Sequence, residues 1–189
     1  WAKSMALDDL MVYANCEAIT APENRYDLKV MGNLRGKKIL DLGCGAGEAA
    51  VYFALQGAAV TALDISTAML TVAQNLASRY QVQIQTHKSI AEKINLPANA
   101  FDYVYGYGVL HHVQHEPVFQ EVRRLLKPTG VAFFVEPIAY NPVIEVYRHM
   151  AKTVRTQDER PFRFRDLQIA EKYFTKISHR EFWLSTLLL

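Results

Sequence analysis

Three glycines at alternate positions, Gly43, Gly45 and Gly47, stand in the stretch KILDLGCGAGEAA, between an apolar run and an alanine-rich one. Alternate glycines suit neither a strand nor a helix. At a junction between the two, missing side chains let a ligand approach the backbone, and the helix start offers free N–H groups. The plainer alternative is a tight strand-to-helix turn with no ligand. Asp64 closes a second apolar run, VTALD. A carboxylate at such a strand end can accept both hydroxyls of an adenosine ribose; alone, it is equally a helix cap or a solvated strand end. A third set, GVLHHVQHE, places His111, His112 and His115 just past another apolar run, and Glu136 ends the run after that. Imidazole and carboxylate at one edge can take a proton from an acceptor or orient each other. Adjacent residues point in different directions, so at most one histidine of the pair is expected to face the site; the plainer alternative for His112 is a helix-start residue packed under the loop. His112 is the first choice, with His111 beside it and Glu136 as a second candidate base. The structural alternative for Glu136 is an acceptor for backbone N–H groups. His111, His112 and Glu136 could hold a metal in principle, but they lack a spaced ligand motif, and none is expected.

Two phosphate-binding patterns do not fit. In a dinucleotide-binding turn, G-x-G-x-x-G, the third glycine would fall at Glu48, which disfavours a nicotinamide-linked oxidoreductase. A P-loop needs Gly-Lys-Ser/Thr, which does not follow.

These residues must be positioned by strand-length apolar runs that alternate with helix-length segments. Strands are expected at 38–43, 59–66, 82–88, 101–108, 131–137 and 175–183, the third near a sheet edge because it alternates apolar and polar residues. Helices are expected at 46–58, at 66–81 with Ser66 as N-cap, at 117–130 closed by Pro128 and Gly130, and at 165–174. This alternation predicts an α/β fold, a doubly wound, mainly parallel sheet with helices on both faces. Residues 1–36, helical over 4–20, read as an N-terminal helical cap. Residues 138–164 mix aromatics, prolines and charges, and read as a lid-like insertion or a plain surface excursion. A single domain over 1–189 is expected, with its core at 37–137 and a last helix and strand at 165–189.

Half of the 189 residues are hydrophobic, enough for one full core. The 21 Lys and Arg nearly balance 19 Asp and Glu, so charge gives no reason to expect a nucleic-acid partner. Cys16 and Cys44 form no CxxC pair, which points away from a disulfide framework or a zinc site and towards a reducing, cytoplasmic compartment. The chain opens on Trp1, with no signal-peptide pattern, and reads as a piece of a longer one. Its end, FWLSTLLL, is an apolar run too short to span a membrane. A continuation of that run is the one route to membrane contact; oligomerisation stays open.

ILDLGCGAG, VTALDIS, FDYVYGYGVLHHV and LLKPTGVAFFVEP, in that order and spacing, resemble the class I S-adenosylmethionine-dependent methyltransferases, over about residues 37–137. The likeness is greatest to the group that methylates small molecules. It implies S-adenosyl-L-methionine as cofactor, with its methionine part held by Asp41, Gly43, Cys44, Gly45 and Gly47. Asp64 would bind the ribose, Ile65 and Met69 would pack on adenine, and the backbone of Tyr107 would meet the methionine amino group. The family often has an Asp where Ile90 stands. Ser89 or Glu92 would then take its place, while Ala91 offers its N–H to the adenine ring. The family fold also finishes with a hairpin whose last strand inserts between 131–136 and 175–183. Too few residues follow Trp183 for that, so the last strand is expected to be missing from this piece.

Methyl transfer from a sulfonium is an in-line displacement, in which the protein aligns the groups and excludes water. An oxygen acceptor asks for a base; an amine need only arrive neutral. Tyr13, Tyr26, Tyr105, Tyr107 and Tyr140 are candidates to line a flat acceptor pocket, with Tyr13 and Tyr140 preferred because they lie in the cap and the insertion. The expected function is O- or N-methylation of a small molecule. The alternative is a catalytically inactive cofactor-binding module that acts through a partner.

Overall fold

The computed structural model describes residues 12–17, 21–137 and 162–182. Within them, five strands form one sheet: β1 (Lys38–Leu42), β2 (Ala59–Asp64), β3 (Gln85–Lys88), β4 (Phe101–Tyr107) and β5 (Leu126–Val135). Their order is β3-β2-β1-β4-β5, and every pairing is parallel. The chain lays β2 and β3 outward from β1, then returns to place β4 and β5 on the other side. The segments that leave β1 and β4 therefore diverge, and such a reversal opens a crevice at the carboxyl edge.

Among the described residues, six helices accompany the strands: α1 (Val12–Glu17), α2 (Pro22–Met31), α3 (Glu48–Leu55), α4 (Thr67–Arg79), α5 (His115–Leu125) and α6 (Phe164–Ala170); a 3-10 turn spans Leu110–His112. The two-residue period of the strands sorts their side chains onto two cores. Ile39, Val60, Ala62 and Tyr105 pack with residues of α1 to α4, whereas Leu40, Leu42, Leu63 and Val104 pack with α5 and α6. Leu40, Leu42 and Leu63 are almost wholly buried, each contributing about 2 kcal/mol from removal of apolar surface from water. The α/β architecture is as expected, with helices on both faces and β3 at an edge.

Several boundaries differ, for local reasons. The helix expected at 117–130 runs from His115 to Leu125 and stops there. Leu126 already pairs with Phe101, and the next pair is Tyr103 with Val131, so residues 127–130 bulge opposite Asp102. Pro128 and Gly130 lie in this bulge instead of closing a helix. Lys127 Nζ bonds both Asp102 oxygens at 2.8 Å across it. A Cβ on Gly130 would come within 3.0 Å of the Phe101 carbonyl oxygen.

No strand forms over 175–182. Alternation makes a strand only where a sheet edge accepts it, and here the side chains anchor on α2. The Arg180 guanidinium lies 4.8 Å over the Tyr26 ring, and Phe182 tilts against the same ring at 6.0 Å. The helix expected at 165–174 is shortened to α6. Within the cap, α1 lies in the expected helical stretch, but α2 was not foreseen; Pro22 in its first turn suits a helix start. Residues 138–161 of the insertion and 183–189 at the end lie outside the described residues. Among those described, no helix is long and apolar enough to cross a membrane.

Candidate active site

The three loop glycines serve three different purposes. Each has positive φ: +71° at Gly43, +51° at Gly45 and +83° at Gly47. A Cβ on Gly43 would lie 2.7 Å from Val109 Cγ2, and one on Gly47 would lie 2.5 Å from Ala73 Cβ. Packing inside the protein therefore excludes side chains at both positions. A Cβ on Gly45 would meet nothing within 4 Å. The loop is pinned to β2, because the N–H groups of Gly43 and Cys44 both donate to the Leu63 carbonyl, at 2.8 and 2.9 Å. Cys44 is half-buried, and burial first, then Asp41 and Asp64, push its thiol far up.

Two carboxylates flank this loop. Asp64 ties it down: Oδ2 accepts from the Gly45 N–H at 3.0 Å and Oδ1 from the Ser66 N–H at 2.8 Å. Each oxygen keeps a lone pair for another donor. Asp41 is 2% exposed, and its Oδ2 has no hydrogen-bond partner among the described residues. Burial pushes its carboxyl up to about 7; the Ala50 N–H in the first turn of α3 pulls it down, and Asp64 pushes it up. An orphaned buried carboxylate oxygen is costly unless a donor arrives.

Beyond the strand ends lie apolar side chains in contact with solvent. Ile65 is 66% exposed after β2, Ile90 47% after β3, and Tyr107 53% at the end of β4. Met69 is half-buried on α4, and its N–H donates to Ser66 Oγ, so Ser66 is the cap that the spacing predicts. Ala91 is buried. The two side chains considered in place of an Asp at position 90 have other tasks. Ser89 Oγ donates to the Lys93 carbonyl at 2.8 Å, and Glu92 Oε1 accepts from the Gln114 N–H at 3.1 Å.

Across the crevice, Glu136 organises the 3-10 turn. Its Oε1 accepts from the N–H groups of Val109 and Leu110 at 2.7 and 2.6 Å, and its Oε2 lies 2.8 Å from His111 Nδ1. Both readings of Glu136 thus hold together: it receives backbone N–H groups and orients a histidine. That histidine is His111, not the first-choice His112. Nor do the two rings diverge as expected: their centroids lie 4.0 Å apart, with the ring planes tilted by 43°. His112 is exposed, and the His111 side chain is 15% exposed. Among the described residues, no three His, Cys, Asp or Glu side chains form a metal-ligand set.

Other aromatic candidates are not brought to this turn. Tyr105 is core, with its hydroxyl donating to Asn24 Oδ1 at 2.9 Å. Tyr13 packs on Tyr52 and Tyr80, which lie along α3 and at the far end of α4. Tyr140 lies outside the described residues. Sequence reasoning passed over Val109, which joins the two halves of the crevice. It touches the Cβ positions of both Gly43 and Gly106; the glycine of the YGYG stretch was the available signal.

The model of a methyltransferase domain matches residues 40–134, half of the chain. A ubiquinone biosynthesis O-methyltransferase of Histophilus somni is 38% identical over 117 residues, which cover 58% of this chain and 49% of that protein. The chain spans about half the length of the curated relatives it matches. Among solved structures, PH0226 from Pyrococcus horikoshii OT3 superposes with a TM-score of 0.67 at 21% identity, covering 93% of this chain and 94% of that one, a likeness of fold. An S-adenosylmethionine-dependent methyltransferase from Mesorhizobium loti is 29% identical with a TM-score of 0.52, covering 70% of this chain and 56% of that one. By the matched domain, the parallel sheet and the loop at its carboxyl edge, the chain belongs to the methyltransferase-domain family, among the class I S-adenosylmethionine-dependent methyltransferases.

Proposed function

We propose that this chain binds S-adenosylmethionine on the β1–β2 side of the crevice and methylates a hydroxyl oxygen of a small molecule held on the β4–β5 side. One observation carries the reading. A single sheet edge brings an unsatisfied buried carboxylate and an open glycine to one side of Val109, and a Glu-oriented imidazole to the other. The residues fit a cationic adenosine derivative. Asp41 offers its unpartnered oxygen to an ammonium, and Gly45 lets the methionine part lie against the loop formed with Gly43, Cys44 and Gly47. Asp64 offers its remaining lone pairs to ribose hydroxyls. Ile65, Met69 and Ile90 present apolar surface to adenine, Ala91 its N–H, and the backbone of Tyr107 faces the amino group.

The bound cofactor supplies one chemistry, a sulfonium-activated methyl group open to in-line displacement. The protein aligns and deprotonates the acceptor. Glu136 accepts from His111 Nδ1–H, which leaves the Nε2 lone pair to take the hydroxyl proton. The His112 ring packs beside that imidazole, its centroid 4.0 Å away and its plane tilted by 43°. The Histophilus somni relative, an O-methyltransferase by name, supports oxygen as the acceptor atom. Free thiols at Cys16 and Cys44 support a cytoplasmic setting. The cap (1–36), core (37–137) and insertion (138–164) act as one domain in this reading.

Titration calorimetry with S-adenosylmethionine, followed by a screen of phenols, catechols and amines with methyl-labelled cofactor, tests it. We expect binding, and transfer to a hydroxyl. Asp64→Ala should weaken binding by about 2 kcal/mol, the loss of charged hydrogen bonds to the ribose. Binding with no transfer to any acceptor would favour an inactive cofactor-binding module. Absence of binding would overturn the proposal.

A further inference from the structure

His115 is the histidine of HHVQH that the proposed reaction leaves without a role. It opens α5, yet its side chain is only 11% exposed. Its Nε2 lies 3.0 Å from the Leu110 carbonyl oxygen. A carbonyl only accepts, so Nε2 must carry the proton. Its Nδ1 faces Asp166 Oδ1 at 3.8 Å, and its ring packs edge-on to Phe162 at 5.3 Å. Asp166 is fixed in turn, because its Oδ2 accepts from the Arg163 N–H at 2.8 Å where α6 begins. The imidazole is thus wedged between the histidine turn and α6.

We propose that His115 is a positioning residue for the His111–Glu136 pair, acting through the Leu110 peptide; this rests on the methyl-transfer reading above. The Leu110 residue is held at both of its polar groups. Its N–H donates to Glu136 Oε1 at 2.6 Å, and its carbonyl accepts from His115. The turn's own bonds are longer: His112 N to Val109 O is 3.1 Å, and Val113 N to Leu110 O is 3.4 Å. Three residues of 3-10 geometry hold themselves weakly. Orientation therefore comes from outside the turn, from β5 through Glu136 and from α5 and α6 through His115. Release of the Leu110 carbonyl lets the following peptide rotate. That rotation swings the His111 ring away from Glu136 Oε2, so its Nε2 no longer aims at the acceptor.

Three variants test this in the full chain: His115→Ala, His115→Gln and His115→Asn. A Gln amide nitrogen reaches the place of Nε2, whereas the shorter Asn does not. In His115→Ala, amide hydrogen exchange at Val109 and Leu110 should speed up about tenfold while β1 and β4 amides keep their protection. Turnover should fall about tenfold with KM for acceptor and cofactor nearly unchanged. Gln should restore both properties, and Asn neither. Unchanged exchange at 109–110 in His115→Ala, or a loss of protection spread over the whole sheet, would overturn the proposal, as would failure of Gln to rescue. If the wild-type chain methylates no acceptor tested, the methyl-transfer reading fails by itself, and the exchange pattern still decides whether His115 holds the turn.

Discussion

At the carboxyl ends of β1 and β2, the polar groups are mostly backbone N–H groups and two carboxylates with capacity to spare. At the ends of β4 and β5, they are a carboxylate and an imidazole bonded to each other, the carboxylate also taken up by two backbone N–H groups. Asp64 holds the loop with one lone pair of each oxygen, and Asp41 has a whole oxygen unmatched among the described residues. Glu136, by contrast, has three partners, and His111 Nδ1 is one of them. The first half is preformed to receive a cationic ligand. The second is preformed to hold one imidazole still, which in the proposed function readies a general base before an acceptor arrives. Val109 separates the halves and touches both.

The largest expected effect breaks the second half. Glu136→Ala leaves two buried N–H groups and His111 without their acceptor. Stability should fall by about 2–4 kcal/mol, as for any set of orphaned buried donors, and transfer rate by about 100-fold. Glu136→Gln keeps an oxygen for the N–H groups but turns an amide towards His111. Denaturant midpoints should recover while the rate does not. A fully active Gln variant would remove the His–Glu pair from the proposed chemistry.

Next in size is a contrast inside the first half. Gly47→Ala drives a Cβ onto Ala73 at positive φ and should cost about 2–3 kcal/mol of stability. Gly45→Ala meets only the backbone penalty of its φ, about 1 kcal/mol, but should weaken cofactor binding about tenfold or more. Thermal melts and calorimetry on the two variants separate a glycine required by folding from one required by a ligand. Equal losses of stability and of affinity in both would erase that distinction.

The most gradual effect is a pH slope, spread over about three pH units. Burial raises the Asp41 carboxyl to about 7 in the folded chain, against about 3.9 when unfolded. Between those values the folded state binds more protons, so this group's contribution to stability is complete below about pH 4 and declines as pH rises to about 7. Asp41→Asn should flatten that decline in melts across the window. Asp27, raised to about 7 by burial and by Glu23, adds a similar slope that the variant keeps. An unchanged profile would mean that the Asp41 carboxyl ionises in the fold as it does in water.

Local chemistry made much of the fold legible. Ser66 caps α4 as its type and place require, because the cap bond reaches only three residues. The glycine loop and Asp64 announce themselves through backbone conformation and strand ends, and the alternation of apolar runs gives the parallel sheet. The failures occur where a non-local partner decides. Residues 127–130 bulge because Phe101 takes Leu126 into the sheet early. Residues 175–182 alternate like a strand but attach through Arg180 and Phe182 to Tyr26, on a helix far away in sequence. The candidate site divides in the same way. Types and spacing at positions 41–47 and 64 suffice to mark a ligand loop, since its N–H groups belong to the chain at that point. Glu136 bonds groups 25 to 27 residues away, so its choice of His111 over His112 follows from where β5 ends relative to the turn after β4. No local pattern encodes that distance, because strand register and a three-residue turn set it together.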